Sequence, residues 1–396
     1  MVLPLIPLRL KKGCEAAVRG GVPWIYAGDL IDSSEPLLAP PGSLVSIETH
    51  KGQRVGTGYF NSKSPIACRV LTLSAEKIDT AFFKSRIEKA LAKREAIIGV
   101  PYYRLAHAEA DYLPGLLMDR FGDLLAVQVG TAGMELLQPL WMAALEEVLK
   151  PAAIVLRNDT GARKIEGLKQ EVSVIKGSVP ELVEVLENRF SYRADILRGQ
   201  KTGWFYDQRD NRKMIADMSA GKTLLDVFSH SGGFALLAAK AGAEVTLVDS
   251  SALALTLAKK AAEVNGVADK CGWIQRDAFE AMQKLADEGK RYDIVLVDPP
   301  AFVKSKKDLE AGMKGYEKMS RMAAGLVTPG GLMFAASCSH HATRSRFNQA
   351  VLSGVKKAGM TATIMKQTGA APDHPAHPHL PQSEYLKGLL LKVDSH

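Results

Sequence analysis

The sequence predicts an α/β protein in which a small β-barrel and an α+β middle domain precede a C-terminal doubly wound domain. Short strand-like runs broken by turns fill the N-terminal region. Helical and strand-like runs mix in the middle, and strands alternate with helices from about Ser191 onward. A chain of 396 residues also exceeds the size that one core usually serves. We therefore predict domains at residues 1–72, 73–190 and 191–396.

The composition is that of an ordinary globular protein, with 46% hydrophobic and 24% charged residues and no low-complexity tract. No apolar run reaches the ~18 residues that a membrane helix needs. The apolar start, Met1–Arg9, soon meets Lys11 and Lys12 without a convincing cleavage site, so we expect no signal peptide. The four cysteines lie far apart without a CxxC pair. This spacing argues against zinc and disulfide frameworks and favours a reducing, cytoplasmic compartment.

The charge of the chain suggests a polyanionic partner. The formal net charge is +8 and the isoelectric point is near 9.1. Lys and Arg residues that neutralise phosphates release counterions, and this release drives association with nucleic acid. A basic surface without a partner explains the same numbers, so the charge needs support from motifs.

The N-terminal domain is predicted to be a small barrel. Val22–Tyr26, Leu44–Ile47 and Val55–Tyr59 are rich in β-branched and aromatic residues, and Gly20-Gly21 and Pro40-Pro41-Gly42 separate them. A lone small sheet would leave exposed edges, so we expect a closed sheet. Its basic residues, each of which is equally well explained as a solvated surface charge, are Arg9, Lys11, Lys12, Arg19, Lys51 and Arg54.

The middle domain is predicted to begin with a helix over Thr80–Ile98, whose apolar residues recur at helical spacing. Phe121-Gly122-Asp123 between two apolar runs indicates a hairpin. The remaining predicted elements are a helix at Leu136–Leu149 and strands at Ala153–Arg157, Val172–Lys176 and Leu182–Phe190.

The C-terminal half alternates strand-like and helix-like segments, which predicts a parallel sheet with helices on both faces. Such sheets bind ligands at the carboxyl ends of their strands. The predicted strands are Thr223–Phe228, Glu244–Val248, Gly272–Gln275, Tyr292–Val297, Gly331–Ala336 and Leu386–Val393. The predicted helices are Ser251–Asn265, Phe279–Glu288, Gly315–Leu326 and Arg344–Lys357.

A small-residue loop after the first of these strands indicates a ligand site. Ser229–Phe234 opens a helix, so backbone amides can approach a ligand at the helix N-terminus. The loop has two adjacent glycines, Gly232 and Gly233, and lacks the third glycine of the dinucleotide-binding pattern. Asp226 precedes it and suits the ammonium of an amino acid better than a pyrophosphate.

Two further carboxylates follow the next two strands. Asp249 can accept hydrogen bonds from ribose hydroxyls, and Asp277 can accept one from the adenine amine. Each of these motifs alone is equally typical of a helix cap or a tight turn. Together, at three consecutive strand ends, they predict an adenosine-bearing ligand. NAD is the competitor, and the missing glycine counts against it.

The fourth strand ends in Asp298-Pro299-Pro300-Ala301-Phe302. Two prolines stiffen this loop and hold Asp298 and nearby carbonyls as fixed acceptors, which suits a planar base that bears an amine. A structural turn is the alternative, but this run after a buried strand is typical of methyltransferases.

Cys338 follows the fifth strand. A cysteine is usually a small buried hydrophobe, but this one lies at the predicted ligand edge beside polar residues. Carbon 5 of a pyrimidine is a poor nucleophile, so its methylation needs a thiolate to add first at carbon 6. We therefore predict that Cys338 is a nucleophile. His340 and His341 could assist proton transfer, although helix capping or surface exposure explains them as well.

The run Gln200–Arg209 (QKTGWFYDQR) resembles the Q-K-T-G-x-(Y/F)-x-D-Q-R segment of the RlmI-like 5-methylcytosine methyltransferases of large-subunit ribosomal RNA. With the Phe228–Phe234, Asp298–Phe302 and Ser337–Ser339 loops, the resemblance covers the C-terminal half. The order and size of the other domains also match this family. It implies a Rossmann-like class I methyltransferase domain behind an N-terminal PUA domain, which is an RNA-binding β-barrel.

The resemblance implies S-adenosylmethionine (SAM) as cofactor, Cys338 as nucleophile and Asp298 as the residue that holds the cytosine. The expected cofactor-site residues are Gln200, Lys201, Gln208, Asp226, Phe228, Ser229, Ser231, Gly232, Gly233, Asp249, Ser250, Asp277, Ala278, Asp298 and Pro299. The expected RNA contacts are Arg9, Lys11, Lys12, Arg19 and Arg209.

The implied partner is 23S ribosomal RNA before full ribosome assembly, with no membrane, and the family is compatible with a homodimer. Many RNA cytosine methyltransferases carry a second cysteine after the Pro-Pro, where this chain has Ala301, so another base must resolve the adduct. The rival hypotheses are N-methylation of an RNA base and a non-catalytic RNA-binding factor. We expect no metal: His374, His377 and His379 alternate with prolines and are predicted to form a surface loop.

Overall fold

The computed structural model describes residues 5–31 and 38–395. The apolar start analysed above, Met1–Arg9, therefore lies partly outside the described residues. The chain divides into two compact units. The N-terminal unit comprises Met1–Val183, Asp195–Trp204 and Asp373–Ser383, and the C-terminal unit comprises Glu184–Ala194, Phe205–Pro372 and Glu384–His396.

The N-terminal unit begins with a five-stranded sheet in the order β1-β3-β4-β5-β2. No ladder joins edge strands β1 (Ile6–Arg9) and β2 (Trp24–Ile25) within the described ranges. The segment that follows β2 instead meets the end of β1 through the Leu10–Leu30 bridge, with the Lys11 amide donating to the Asp29 carbonyl at 2.8 Å and the Ile31 amide donating to the Arg9 carbonyl at 3.0 Å. β2 spans only two residues, and such a short edge strand offers few unpaired backbone groups. The elements are β1 (Ile6–Arg9), α1 (Glu15–Arg19), β2 (Trp24–Ile25), β3 (Ser43–Glu48), β4 (Arg54–Phe60) and β5 (Cys68–Thr72).

The second sheet of this unit has the order β10-β9-β8-β7-β6. The predicted helix Thr80–Ile98 (α2) is confirmed: the Asp79 side chain caps it, and Gly99, at φ +73°, ends it. The predicted hairpin at Gly122 is also confirmed. The elements are α2 (Thr80–Ile98), β6 (Tyr102–His107), β7 (Leu116–Phe121), β8 (Leu124–Val129), α3 (Ala132–Leu136), α4 (Gln138–Val148), β9 (Ala153–Asn158), α5 (Ala162–Ile165) and β10 (Glu171–Lys176).

Buried ion pairs tie the late segments Asp195–Trp204 and Asp373–Ser383 to this second sheet. Asp119 is fully buried, accepts two hydrogen bonds from Arg104 at 2.5 and 3.0 Å, and accepts one from the Thr202 hydroxyl at 2.5 Å. The Asp373 carboxylate accepts a hydrogen bond from the Arg104 amide at 3.0 Å. Buried carboxylates are costly unless they are paired in this way, so these contacts fix both segments.

Two of the three proline-flanked histidines are buried, so the surface-loop prediction is wrong for them. His374 packs with its Nδ1 2.9 Å from Asp373 Oδ1, and the His377 amide donates to Ser383 Oγ at 2.8 Å. His379 is exposed. Within residues 5–31 and 38–395, no group of three or more His, Cys, Asp or Glu residues could hold a metal ion.

The C-terminal unit is built on a seven-stranded sheet in the order β15-β14-β13-β16-β17-β19-β18. Strands β13 to β17 are parallel, as predicted, and β19 is antiparallel to both of its neighbours. A separate two-stranded sheet consists of β11 (Val183–Glu187) and β12 (Phe190–Ala194). The strands of the seven-stranded sheet are β13 (Thr223–Val227), β14 (Glu244–Asp249), β15 (Cys271–Gln275), β16 (Tyr292–Val297), β17 (Val327–Ser337), β18 (Met360–Thr368) and β19 (Lys387–Ser395).

Six helices among the described residues cover this sheet. Their apolar faces and the strands form one core, which includes Val295, Val297 and Met333. The helices are α6 (Arg209–Asp217), α7 (Gly233–Lys240), α8 (Ala252–Val264), α9 (Ala278–Asp287), α10 (Leu309–Ala324) and α11 (Arg344–Lys357). In the part of the chain that the structure describes, every helix is too short or too polar to cross a membrane.

The β11–β12 hairpin contributes to the C-terminal unit. The Tyr192 hydroxyl donates to the Gly233 carbonyl at 3.0 Å, and the Ser191 amide donates to the Asn265 side chain at 3.2 Å. These bonds join residues 184–194 to helices α7 and α8. The division into three domains remains a prediction.

Candidate active site

Three carboxylates converge at the carboxyl edge of the seven-stranded sheet. Asp226 lies in β13 beside β14 and β16, Asp249 ends β14, and Asp298 follows β16. The parallel registers bring these strand ends to one edge. Asp249 and Asp298 both raise the pKa of Asp226, so the negative charges are close enough to interact. A cluster of this kind attracts a cationic ligand.

Asp226 is the most enclosed of the three. It is 1% exposed and accepts a 3.1 Å hydrogen bond from the Ala235 amide at the start of α7. Burial is the largest influence and raises its pKa to about 8. Near neutral pH the side chain is therefore largely protonated, and a neighbouring ammonium or sulfonium would favour its ionised form.

The loop between β13 and α7 is held in an unusual backbone conformation. Phe228 and His230 have φ values of +66° and +48°, which are costly for residues with a side chain. The Ser229 amide donates to the Val248 carbonyl at 3.0 Å, and the His230 amide donates to Asp249 Oδ2 at 2.8 Å. Adjacent strand β14 thus fixes the loop in a conformation that is ready for a ligand.

The two glycines of the loop are also required by packing. Gly232 has φ +80°, and a Cβ there would lie 2.8 Å from Leu236 Cγ. A Cβ on Gly233 would lie 2.5 Å from Nε of Arg212, whose guanidinium donates to Glu187 at 2.7 Å. Both glycines therefore make room for neighbouring side chains, and their predicted role in letting backbone amides approach a ligand remains a prediction.

The polar groups around the loop fit a nucleoside with an amino-acid tail. Ser229 Oγ is buried and has no hydrogen-bond partner among the described residues, so a polar ligand atom could satisfy it. Asp249 is half-buried and holds the loop and the Ser251 amide. Asp277 is exposed and caps α9 through hydrogen bonds from the Phe279 and Glu280 amides at 2.9 and 3.2 Å.

The remaining predicted cofactor residues of this unit flank the same loops. Ser231 is buried, and its hydroxyl lies 3.0 Å from Nδ1 of His230. Ala278 begins α9 and is buried, as is Pro299, whereas Ser250 is exposed. None of these residues carries a charge, and their role in cofactor binding remains a prediction.

Gln208 connects the Gln200–Arg209 motif to the Asp-Pro-Pro loop. It is 3% exposed, and its Nε2 donates to Asp298 Oδ2 at 2.9 Å. Asn211, which the sequence analysis missed, donates to Gln208 Oε1 at 2.6 Å. This second bond orients the amide so that its NH₂ group faces the carboxylate.

Gln200 and Lys201 lie in the N-terminal unit. Both are exposed, in a turn that the Gly203 amide closes by donating to the Gln200 carbonyl at 2.8 Å. Lys201 has φ +50°, a left-handed conformation that is uncommon for lysine. Their role in cofactor binding remains a prediction.

Cys338 directly follows β17 and is half-buried. It is therefore not enclosed in the interior, which would have removed it as a nucleophile candidate. The flanking Ser337 and Ser339 are fully buried, and each hydroxyl lies 2.8 Å from the Tyr316 hydroxyl. The Val303 amide donates to Ser339 Oγ at 3.2 Å, which joins the Cys338 segment to the segment after Pro300.

Lys387, at the start of β19, is a second residue that the sequence analysis missed. It is 4% exposed, and its Nζ donates to the Ser339 carbonyl at 2.7 Å. Burial lowers the pKa of Lys387 to about 8, although the Cys338 thiolate opposes this shift. The sequence feature that could have indicated it is a lysine directly before the apolar run Gly388–Leu391.

His340 and His341 are both exposed, in agreement with the surface alternative. The His340 ring stacks on the Tyr385 ring with their centroids 5.3 Å apart. The Tyr385 hydroxyl donates to Asp207 at 2.5 Å. These contacts give His340 a packing role, and a role in proton transfer is not needed to explain it.

The predicted RNA contacts divide into two groups. All four residues of the first group are exposed: Arg9 ends β1, Lys11 and Lys12 lie between β1 and α1, and Arg19 ends α1. Arg209 is buried, lies 3.8 Å from Glu187 and packs over the Tyr206 ring. A buried guanidinium beside a carboxylate is poorly placed to bind a phosphate. We therefore interpret Arg209 as a structural residue and do not retain it as an RNA contact.

Comparison with known proteins identifies the class of this site. Residues 8–73 match the PUA-like domain family, and residues 169–353 match the S-adenosylmethionine-dependent methyltransferase family. A protein solved in complex with S-adenosylhomocysteine (SAH) shares the fold, with a TM-score of 0.85 and 23% identity over 98% of this chain and 100% of that one. The fold and the site thus define a SAM-dependent methyltransferase with an N-terminal PUA-like domain.

Full-length relatives identify the family. Ribosomal RNA large subunit methyltransferase I of Shewanella amazonensis is 35% identical over 98% of this chain and 99% of its own. The protein of that name from Aeromonas salmonicida is 36% identical over 97% of this chain and 98% of its own. The chain belongs to the ribosomal RNA large subunit methyltransferase I family.

Proposed function

We propose that this enzyme methylates carbon 5 of a cytosine in large-subunit (23S) ribosomal RNA, with Cys338 as the nucleophile. The observation that carries the proposal is the half-buried Cys338 directly after β17, the strand next to the one that Asp298 follows. The names of the relatives support ribosomal RNA as the substrate. A cysteine at this edge supports carbon rather than nitrogen chemistry.

The reaction requires the ring to be activated before it is methylated. The Cys338 thiolate adds to carbon 6, and the ring electrons then make carbon 5 nucleophilic. A methyl donor held by Asp226, Asp249 and Ser229 would supply the methyl group to carbon 5 and would become the neutral thioether as its methyl–sulfur bond breaks. A base removes the carbon 5 proton, and the returning electrons expel the thiolate and restore the aromatic ring.

Asp298 is proposed to hold the amine edge of the cytosine. Gln208 fixes one of its carboxylate oxygens, and Pro299 and Pro300 stiffen the loop that carries it. Ala301 occupies the place where many RNA cytosine methyltransferases have a second cysteine. The proton and the thiolate must therefore leave without help from a thiol at that position.

RNA is proposed to bind through the exposed basic residues of the N-terminal sheet, Arg9, Lys11, Lys12 and Arg19. A target cytosine must leave its stack to reach a thiol, which is easiest in single-stranded or incompletely folded RNA. This favours 23S RNA in the cytoplasm before assembly is complete. The homodimer implied by the family resemblance remains a prediction.

N-methylation of an RNA base is the second candidate. The Asp-Pro-Pro loop favours it, because a rigid carboxylate and a bound methyl donor are sufficient to methylate an amine. In that reaction Cys338 has no chemical role. The two candidates therefore differ in the product nucleoside and in the effect of removing the thiol.

The test uses full-length protein, transcribed 23S RNA and SAM with a radiolabelled methyl group. Digestion and mass spectrometry of the RNA should yield 5-methylcytidine. Cys338→Ala should abolish transfer and retain SAH binding, whereas Cys271→Ala should transfer normally. Cys271 is a matched control, because it is also half-buried but begins β15, at the opposite end of its strand. An N-methylated product, or full turnover by Cys338→Ala, would reject the proposal.

SAH titration separates the enzyme from a non-catalytic RNA-binding factor. Binding to the wild type is expected, because the carboxylate cluster and the Ser229 hydroxyl fit the ligand. RNA binding in the absence of any SAH binding would favour the non-catalytic role.

A further inference from the structure

Lys387 is fixed next to the proposed nucleophile by the sheet itself. In the antiparallel β17–β19 ladder, Ser337 and Lys387 are direct partners. Cys338 is the next residue after Ser337 in the chain. Lys387 therefore begins β19 beside the end of β17, which Cys338 directly follows. The backbone hydrogen bonds between the two strands hold this arrangement.

The ammonium group of Lys387 is buried and forms a hydrogen bond. The residue is 4% exposed, and its Nζ donates to the Ser339 carbonyl at 2.7 Å. Burying a cation is costly unless hydrogen bonds and an opposite charge compensate. The Ser339 carbonyl supplies the hydrogen bond but carries no full negative charge. A nearby anion is therefore needed to compensate the positive charge of the buried ammonium.

The charged groups around Lys387 identify that anion. The Cys338 thiolate and Glu384 favour the protonated lysine, and Arg344 in α11 opposes it. Glu384 already forms an ion pair with Arg344 at 3.0 Å. Tyr316 in α10 is buried, and its hydroxyl contacts the hydroxyls of Ser337 and Ser339. Burial and, to a smaller extent, the Cys338 thiolate raise the pKa of Tyr316, so it stays neutral. The thiolate of Cys338 is thus the anion that best compensates the charge of the Lys387 ammonium.

We propose that Lys387 is a positioning residue for Cys338. Its ammonium stabilises the thiolate, and its hydrogen bond to the Ser339 carbonyl fixes the peptide that follows the cysteine. This inference rests on the proposed function, because it assigns Lys387 a role in activating the same nucleophile. It also accounts for a buried lysine in an otherwise apolar stretch of β19.

The direct test is the pH dependence of Cys338 alkylation. Full-length protein is treated with iodoacetamide between pH 5.5 and 10, and mass spectrometry follows the peptide that contains Cys338. In Lys387→Met the midpoint of the alkylation profile should rise by about one pH unit, because an adjacent opposite charge typically shifts a titration by ~1–3 units. Alkylation near pH 7 should then be about tenfold slower, because the thiolate fraction falls tenfold per unit.

Methyl transfer provides a readout that a purely structural role would not change in the same way. In Lys387→Met, kcat should fall about tenfold at pH 7 and recover at pH 9, where the thiol ionises without help, while KM for RNA stays unchanged. Lys392→Met is the matched control, because Lys392 is exposed on the same strand. It should leave both profiles unchanged.

An unchanged alkylation midpoint in folded Lys387→Met would overturn the proposal, as would a loss of kcat that high pH does not restore. If this variant does not fold, Lys387→Arg and Lys387→Gln replace it. The arginine should keep the wild-type midpoint, the glutamine should raise it, and equal midpoints would overturn the proposal. Failure of the proposed function would appear separately, as full turnover by Cys338→Ala.

Discussion

Nε2 of Gln208 donates a 2.9 Å hydrogen bond to Oδ2 of Asp298. This bond joins two sequence motifs that lie 90 residues apart. Asn211 holds the other end of the Gln208 amide at 2.6 Å, so the orientation of the donor is set before any substrate binds. One carboxylate oxygen of Asp298 is thus held by the protein, and the proposed role of Asp298 depends on this restraint.

Gln208→Leu is the first prediction. Leucine fills a similar volume but leaves Asp298 and Asn211 without their shared partner, which costs about 1–3 kcal/mol for buried groups. We expect kcat for methyl transfer to fall by roughly tenfold or more, because the cytosine acceptor becomes misoriented. Single-turnover kinetics with radiolabelled SAM measures the effect.

Gln283→Leu is the control for this prediction. Gln283 is an exposed glutamine of α9 that donates to Asp287. It should transfer methyl groups at the wild-type rate. Wild-type kcat in Gln208→Leu would show that the Gln208–Asp298 bond is not needed for catalysis.

The second prediction concerns the pH dependence of stability at Asp226. Its pKa is near 8 in the folded protein and near 3.8 in the unfolded chain. As the pH rises from about 4 to 8, the unfolded chain loses this proton while the folded protein retains it, so the wild type loses stability across that window. The amide of an asparagine does not titrate, so the free energy of unfolding of Asp226→Asn should not fall in this way. Between about pH 4 and 8 it should therefore rise relative to that of the wild type by a few kcal/mol.

Urea unfolding of both ligand-free proteins at several pH values between 4 and 8 measures this difference. Asp226→Asn should also bind SAM more weakly, because it removes one carboxylate from the cluster that faces a cationic ligand. Asp269→Asn is the control, since Asp269 is outside this cluster in an exposed turn before β15. Parallel stability curves for wild type and Asp226→Asn would contradict a raised pKa.

The sequence predicted the parts of the fold and site that depend on local pattern. Asp226 was found because it precedes the small-residue loop, and Asp249 and Asp298 because they end or follow an apolar strand; the alternation of strands with helices places these positions near one edge of the sheet. Helix Thr80–Ile98 was predicted because its apolar residues recur at helical spacing, and the structure shows in addition that Gly99 ends it.

The missed features depend on contacts between distant segments. Strand β18 was overlooked because it is a largely exposed edge strand with polar residues, so it lacks a clear apolar pattern. Lys387 and Asn211 acquire their roles only when their partners are brought to them by the fold. The burial of His374 likewise depends on the position of Asp373, whose carboxylate also binds the Arg104 amide.

The third prediction separates backbone strain from steric contact in the cofactor loop. Gly232 and Gly266 have φ values of +80° and +64°, so alanine strains the backbone at both positions. A Cβ at 232 would also lie 2.8 Å from Leu236 Cγ, whereas a Cβ at 266 meets nothing within 4 Å. Gly266→Ala should therefore cost about 1 kcal/mol in the free energy of unfolding and leave SAM binding unchanged.

Gly232→Ala should cost more, about 2–4 kcal/mol, because the clash adds to the strain. It should also weaken SAM binding at least tenfold, since relief of the clash must move either α7 or the loop that carries the Ser229 hydroxyl. Calorimetric titration with SAH and urea unfolding of both variants measure the two effects. Equal losses of stability and unchanged SAH affinity in both variants would show that the packing of Gly232 against Leu236 does not shape the cofactor loop.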